Sequence, residues 1–354
     1  MCRRTERGVV GQEWQTGMSG RRTLKVIDLR ACAAQYLAMT EIRVGQLWRY
    51  PVKSMQGEQV DEIVLGSGGV IADRGYGFFD VETGRLVSAK HPKRFGALLG
   101  CAARYLSDPV PGEPTPPIEV TFPDGSVVHD DASLADRVSA LLGRDVRLIT
   151  TVEEGLAFDE VDPGVDGVMP DEFVAALSSG AETPEHVMQI PAGMAAPGTM
   201  LDLAALHILT AATLHRLAAE YPGGDWDPRR MRPNMIIDAG SETPGEEDEW
   251  YGCDLHLGDD AVIHVVGPTP RCVMTTVAQP GLPRDSGVLK AIAGIGRREI
   301  GALGQFACAG SYAEVVTPGV VRQGDAVTVE RVEPREGALA ATITMMSAAM
   351  APGD

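Results

Sequence analysis

Aromatic residues are scarce, at 5% of the chain, and cysteine is scarcer, with six among 354 residues at positions 2, 32, 101, 253, 272 and 308. No two of them form a C-x-x-C pair and no paired spacing recurs. That excludes a zinc ribbon and a disulfide framework, and it points to a reducing, cytoplasmic compartment. The C-x₄-C-x₂-C run of a plant-type ferredoxin is also missing, so no fused iron–sulfur cluster is expected. Positive charge is in deficit: 31 Lys and Arg stand against 49 Asp and Glu, a formal net charge of −18. Such an excess repels nucleic acid and anionic lipid, so neither is an expected partner. Any anionic ligand must then be held by cations placed locally. Long apolar runs are lacking too. The arginines Arg3, Arg4, Arg21 and Arg22 lead into no apolar segment, because the stretch Ala31–Ala38 is short and carries Gln35. Neither a signal peptide nor a membrane anchor is expected.

What is present is glycine (41), proline (24) and a hydrophobic fraction of 44%, enough for a sizeable core built from strands and turns in about two domains. Strand-like alternation begins abruptly at Ile42, with Met39 just before it. Met39 therefore reads as the natural start, and 1–40 as a disordered or over-called extension. Ile42–Tyr50 alternates and stops at Pro51. Hairpins are expected around Glu82-Thr83-Gly84 and Pro123-Asp124-Gly125, and a helix over Ala132–Leu142 capped by Asp131. Residues 41–150 thus form a β-rich first unit. The acidic, Pro- and Gly-rich stretch 151–200 reads as a linker or surface insert with a short helical pattern at Pro170–Leu177. A second unit over 201–332 opens with the strand Leu206–Thr210 and a helix Thr210–Tyr221 capped by Thr210. Short strands follow at Asn234–Asp238, Asp254–Leu257, Ala261–Val266, Val273–Val277, Ser311–Val316 and Asp325–Val329. The tail 333–354 is Ala- and Met-rich and forms one loose helix or none. The expected class is α+β and β-rich, with few peripheral helices.

Three segments carry chemistry. Pro51-Val52-Lys53-Ser54 and Asp73-Arg74-Gly75-Tyr76 offer an ammonium, a hydroxyl and a guanidinium from loops, a set suited to a phosphate. Arg229-Arg230-Met231-Arg232-Pro233-Asn234 brings cations to the start of an apolar strand. Gly267-Pro268-Thr269-Pro270-Arg271-Cys272 fixes the backbone before an Arg-Cys pair, and the cationic neighbour is expected to lower the thiol's pKa and suit it to a metal. Taken singly, each segment reads more readily as an ordinary surface charge cluster or a core cysteine.

Their joint occurrence in this order resembles the MOSC family, in its two-part form with a β-barrel-like N-terminal module. The residues that carry it are LWRYPVKSMQG (47–57), Asp73-Arg74, LHILTAATL (206–214), RPNMII (232–237), TPRCVMTTV (269–277), Gly304–Phe306 with Tyr312-Ala313, and PGVVRQGD (318–325). The resemblance runs from about Ile42 to Glu330. The family includes the amidoxime-reducing components of mitochondria with their bacterial relatives, and more distantly the C-terminal domain of molybdenum-cofactor sulfurases.

The resemblance implies a MOSC-type β-barrel domain preceded by a smaller β-barrel-like domain, and a molybdenum–molybdopterin cofactor ligated by Cys272. It assigns Lys53, Ser54 and Arg74 to the pterin and its phosphate, Thr210 and Thr213 to a hydroxyl contact at a helix N-terminus, and Arg232 and Asn234 to the pterin. Arg271 stands behind the ligand, while Ser88 and Lys90 correspond more weakly to residues near the cofactor. The implied reaction is reduction of amidoximes, hydroxylamines or N-hydroxylated bases by electrons from a separate ferredoxin-, flavodoxin- or reductase-type protein. Two other readings stay open: a persulfide carrier on Cys272, and a protein that stores the cofactor without turnover. The first is weakened because no pyridoxal-phosphate-dependent desulfurase domain is present. Arg74-Gly75-Tyr76-Gly77 lacks a bulky Trp common after the Asp-Arg pair, which implies a wider substrate mouth.

Overall fold

The computed structural model describes residues 42–129, 132–178, 187–195, 198–239, 246–333, 335 and 337–350. The expected extension at 1–40 and the Asp131 cap lie outside these residues.

The first strand, β1 (Arg43–Arg49), pairs with β2 (Glu58–Val60) and brackets the loop 50–57. There follow β3 (Glu62–Gly66), β4 (Gly69–Val70), β5 (Gly77–Asp80), β6 (Arg85–Leu86), β7 (Ala102–Tyr105), β8 (Ile118–Thr121), β9 (Val127–His129), helix α1 (Ala132–Leu142) and β10 (Val146–Ile149). Both expected hairpins form, β5 with β6 and β8 with β9. Asp80 accepts from the Glu82 amide and the Thr83 hydroxyl in the first turn, and Gly84 takes a φ of 68° there. Val52, Met55, Phe78, Phe95, Leu98, Ile118, Val120, Leu134 and Val138 close a core of their own beneath these pieces.

The acidic stretch has a structured role. β11 (Ala157–Val161) and β12 (Val187–Pro191) pair antiparallel, with helix α2 (Asp171–Leu177) between them in sequence. Phe158, Phe173, Met188 and Ile190 pack into one apolar cluster with Ile300, Leu303, Phe306 and Met346. The proline and glycine content concealed this, because the apolar positions are too sparse along the chain to show a period and cohere only against distant partners.

Most of the remaining strands join one curled sheet. β13 (Leu206–Thr210), helix α3 (Ala211–Glu220) and β14 (Met235–Asp238) form a parallel crossover unit. All five β13 residues are buried, His207 and Thr210 included, as in a strand covered on both faces. Next come β15 (Cys253–Leu257), β16 (Ala261–Pro270), helix α4 (Ser286–Ile295), β17 (Arg297–Glu299), β18 (Gln305–Thr317), β19 (Gly319–Arg322), β20 (Val327–Arg331) and helix α5 (Ala338–Met350). The strands run β2-β1-β14-β13-β18-β16-β15-β20 across the sheet. Its far side returns to β1: Val44 N donates to Asp325 O and Val327 N to Ile42 O, each near 2.9 Å. Leu47, Ile208, Ile237, Leu255, Ile263, Val265 and Ala313 fill the interior of the curl. The fold is mixed α+β and strand-rich, as expected.

Two elements differ from the sequence reading. β16 runs on through Pro268 and Pro270, with register shifts at both, where the prolines cannot donate to the ladder. The expected strand Val273–Val277 is instead a 3₁₀ turn over Val273–Thr276. Thr275 and Thr276 donate their hydroxyls to Cys272 O and Val273 O at 3.0 and 2.8 Å, offering the backbone a local alternative to a ladder.

Loop 50–57 folds back tightly on β1. A Cβ on Gly57 would stand 2.3 Å from Arg49 O and 2.5 Å from a Tyr50 ring carbon. Gly57→Ala should therefore lower stability by about 1–3 kcal/mol, read as a reduced urea midpoint. An unchanged midpoint would show that the loop gives way freely.

Candidate functional site

A cleft of about 110 Å³ opens where distant loops converge. Lys53 and Ser54 reach it from the loop after β1, Arg74 from the turn before β5, and Ser88 and Lys90 from the loop after β6. Arg232 and Asn234 arrive from the loop into β14, and Arg271 and Cys272 from the end of β16.

The backbone there is strained. Ser54, Arg74 and Arg232 all have left-handed φ, at 68°, 53° and 56°, and Ala72 beside Arg74 has 60°. Each costs on the order of 1–2 kcal/mol for a residue with a Cβ, so surrounding contacts must impose it. Arg74 N donates to Tyr50 O at 2.6 Å, Arg232 Nη1 to Met55 O at 2.5 Å, and Ala89 N to Ser54 Oγ at 2.9 Å.

Asp73 and Tyr50 organise the cationic wall. The buried Asp73 carboxylate accepts from Tyr50 N at 2.8 Å, from Asn234 Nδ2 at 2.9 Å and from the Arg74 guanidinium. The Tyr50 ring lies 4.3 Å from the Arg232 guanidinium carbon and 4.7 Å from that of Arg74, while its hydroxyl donates to Pro233 O at 3.0 Å. Asn234 also accepts from His207 N at 3.1 Å. Burial, with Arg74 alongside, pulls the Arg232 pKa down to about 10.

The opposite wall comes from the acidic stretch and its exit. Asp202 takes Lys53 at 2.6 Å and Lys90 at 3.2 Å, and Lys90 also donates to Glu160 at 2.9 Å. Both ammonium groups lie about 5 Å from the centre of the Phe158 ring. Burial opposes the charge of Asp202, but the two lysines hold its carboxyl well below the usual range. Burial likewise opposes the charge of Lys90, and Asp202 with Glu160 holds it well above its ordinary value. Lys53, Arg74, Lys90, Arg232 and Arg271 thus outnumber Asp73, Glu160 and Asp202 in and around the cleft. This is a local positive excess inside an acidic protein. A sixth cation, Arg230, is committed elsewhere: its buried guanidinium donates to Asp225 O, Thr275 O and Pro283 O, bracing the chain that follows Cys272.

Cys272 is half-buried at the rim. Burial pushes its thiol above the ordinary value, against the pull of Lys90 and Arg271, which corrects the expectation that cationic neighbours alone would lower it. His207, held well below its usual range by burial and Arg271, stands with Nε2 3.5 Å from Arg271 Nη1.

Thr210 and Thr213 are not brought to the cleft. They sit at the far end of β13 from His207, about 10 Å along the strand by its rise per residue. Both hydroxyls donate to the buried Glu247 carboxylate, and Thr210 caps α3 by accepting from Thr213 N at 3.1 Å. The anion received by that helix N-terminus is the protein's own.

Lys53, Ser54, Arg74, Arg232, Asn234, Arg271 and Cys272 share one cleft, as the sequence reading grouped them, with Ser88 and Lys90. It assigns no role to Tyr50 or His207, although both lie inside segments that carry the resemblance, and it missed Glu160 and Asp202, which stand in no local motif. Alternation in Ile42–Tyr50 marked Tyr50 only as a strand end.

The family model of the MOSC domain matches residues 198–328, and that of the MOSC N-terminal beta barrel domain matches 41–108. The chain belongs to the MOSC family. Both matched segments of this MOSC protein supply the cleft, the first with Lys53, Arg74 and Lys90 and the second with Asp202, Arg232, Asn234, Arg271 and Cys272. Solved structures to which it is similar include the YUAD protein from Bacillus subtilis, 11% identical, covering 82% of this chain and 97% of that one at a TM-score of 0.38. YiiM from Geobacillus stearothermophilus is 18% identical, covering 45% of this chain and 72% of its own at a TM-score of 0.26. YiiM from Escherichia coli is 18% identical, at 42% and 64% coverage and a TM-score of 0.25. No curated protein matches the chain.

Two outcomes follow for stability. Asp73→Ala leaves Arg74 and two buried donors without their acceptor and should cost about 3–5 kcal/mol in chemical denaturation. Burial raises the Glu247 carboxyl above its ordinary value of 4.5 despite the two threonine hydroxyls. The native state therefore binds that proton more tightly than the unfolded chain. Its stabilising share is fully present below pH 4.5 and is lost as pH rises through the native value. Glu247→Gln should flatten this decline, measured as unfolding free energy against pH. An unaltered slope would contradict the assignment.

Proposed function

We propose that this protein binds a molybdenum–pterin cofactor in the cationic cleft, with Cys272 as its thiolate ligand, and reduces N-hydroxylated compounds with electrons from a separate redox protein. The observation that carries the reading is the placement of a half-buried thiol at the rim of a cleft walled by Lys53, Arg74, Lys90, Arg232 and Arg271.

The donor set fits such a group. Thr269 Oγ1 and Arg271 Nε are buried, belong to residues that line the cleft, and have no hydrogen-bond partner among the described residues. Polar atoms in that state favour an anionic, hydrogen-bonding ligand. Among the described residues no group of three or more His, Cys, Asp or Glu could hold a metal ion. A metal beside Cys272 would therefore draw most of its donors from its own organic ligand, as a dithiolene pterin allows.

Lys53, Ser54 and Arg74 would hold the phosphate, and Arg232 and Asn234 the pterin, their backbones already locked in the conformations described. Arg271, which donates to Met231 O at 2.6 Å, links the cysteine segment to the Arg232 loop and so fixes where the thiol stands. When bound, the cofactor supplies the two-electron chemistry that removes oxygen from nitrogen, while the chain supplies position and charge. Thr210 and Thr213 have no part in holding it. No helix among the described residues is long and apolar enough to cross a membrane. The electron donor is proposed to be a separate protein of ferredoxin, flavodoxin or reductase type.

Metal analysis of the purified protein and its Cys272→Ala variant tests this reading. The wild type should carry near-stoichiometric molybdenum and turn over benzamidoxime with a competent donor, and Cys272→Ala should lose turnover. Arg232→Ala should reduce retained molybdenum by about tenfold while leaving Cys272 in place. Full activity and full molybdenum in Cys272→Ala would overturn the ligand role. Persulfide on Cys272 without metal would instead establish a sulfur carrier, and cofactor without turnover a storage protein.

A further inference from the structure

Cys272 borders a second cavity of opposite character. Behind it lies a chamber of about 80 Å³ that shares Lys90, Asp202, Leu203, Arg271, Cys272 and Tyr312 with the cationic cleft. Beyond that shared end its walls are apolar: Met169, Phe173, Ile190, Phe306, Ile343 and Met346. Phe173 and Phe306 meet edge to face, with centroids 5.1 Å apart. The charged lining residues are Lys90, Glu160, Asp202 and Arg271. Three of them also line the cleft, and Glu160 is bound to Lys90 at 2.9 Å, so all charge gathers at the cysteine end.

We propose that this chamber is the substrate-body pocket. It takes a compact apolar group, such as a short branched alkyl group, of a small neutral compound whose single polar head meets Cys272, Lys90 and Arg271. Three physical points support this. The chamber's 80 Å³ is roughly half the volume of an apolar cavity that admits benzene, about 150 Å³, which suits a group of a few carbon atoms. The far walls offer no partner for a charge, and burying one there unpaired is strongly unfavourable. The polar end is continuous with the cationic cleft, so a head group and the cofactor's anionic groups would approach Cys272 from different sides.

The walls also come from an unexpected place. Met169, Phe173 and Ile190 belong to the acidic stretch and Ile343 and Met346 to α5, all outside the segments matched by the two family models. Thr342 Oγ1 donates to Met194 O at 3.3 Å and Leu339 N to Glu314 Oε1 at 2.9 Å, which ties α5 across both. The matched segments supply most of the cleft, whereas much of the apolar wall comes from outside them.

The chemistry assigned to the head group rests on the molybdenum reading, whereas the pocket itself does not. Calorimetric titration of the purified full-length protein with formamidoxime and with isobutyramidoxime tests the pocket directly. Replacing hydrogen by isopropyl should tighten binding at least about tenfold through the extra buried apolar area. Ile343→Trp, filling the chamber from α5, should erase that difference while molybdenum content and unfolding midpoint stay at wild-type values. Should that variant fold poorly, Met346→Phe should reduce the difference in the same direction. Phe173→Ala should weaken isobutyramidoxime yet improve benzamidoxime relative to it. Equal affinities in the wild type, or a difference that survives in a folded filling variant, would refute the pocket. Discrimination without molybdenum keeps the pocket and sinks the cofactor reading; molybdenum without discrimination does the reverse.

Discussion

The carboxylate of Asp73 sits where three remote parts of the chain meet: the end of β1, the turn that carries Arg74, and the loop into β14. It accepts from Tyr50 N, from Arg74 and from Asn234 Nδ2, and it is itself buried. A buried carboxylate is stable only while its donors stay in place, so the three segments are held as a unit. Two guanidinium groups rest on the Tyr50 ring that this carboxylate helps to fix. The rest of the cationic wall inherits its geometry from this junction.

That constraint explains why strain collects at the cleft. Ser54, Arg74 and Arg232 take left-handed backbone conformations that neither a free loop nor a regular strand would favour. Each is held by a hydrogen bond to a neighbouring loop, through the backbone for Arg74 and the side chain for Ser54 and Arg232, and all three line a common space. Such pre-positioning matters in a protein whose net charge is −18, because the long-range field works against an anion. Local cations with fixed directions must outweigh it at short range.

The acidic stretch has two faces in this scheme. Glu160, Asp202 and Phe158 compensate and orient Lys53 and Lys90 on the cleft side. Phe173 and Ile190 turn apolar surface into the chamber on the other side of Cys272. An acidic composition that reads as solvated linker thus provides both counter-charge and an apolar wall, with the cysteine between them.

The sequence alone determined the strand-rich α+β class, both early hairpins, the capped helix after β13 and the family. It also grouped Lys53, Ser54, Arg74, Arg232, Asn234, Arg271 and Cys272, because rigid Pro- and Gly-flanked motifs in a distinctive order are local information. Tertiary structure alone decided three other matters. Thr210 and Thr213 serve Glu247 because a strand has two ends, and β13 places His207 at one and the threonines at the other. The Val273–Thr276 segment turns because its threonines bond to carbonyls that a strand would have left to a neighbour. The Cys272 thiol is raised because burial, a property of everything packed around it, outweighs the charge of the residue beside it.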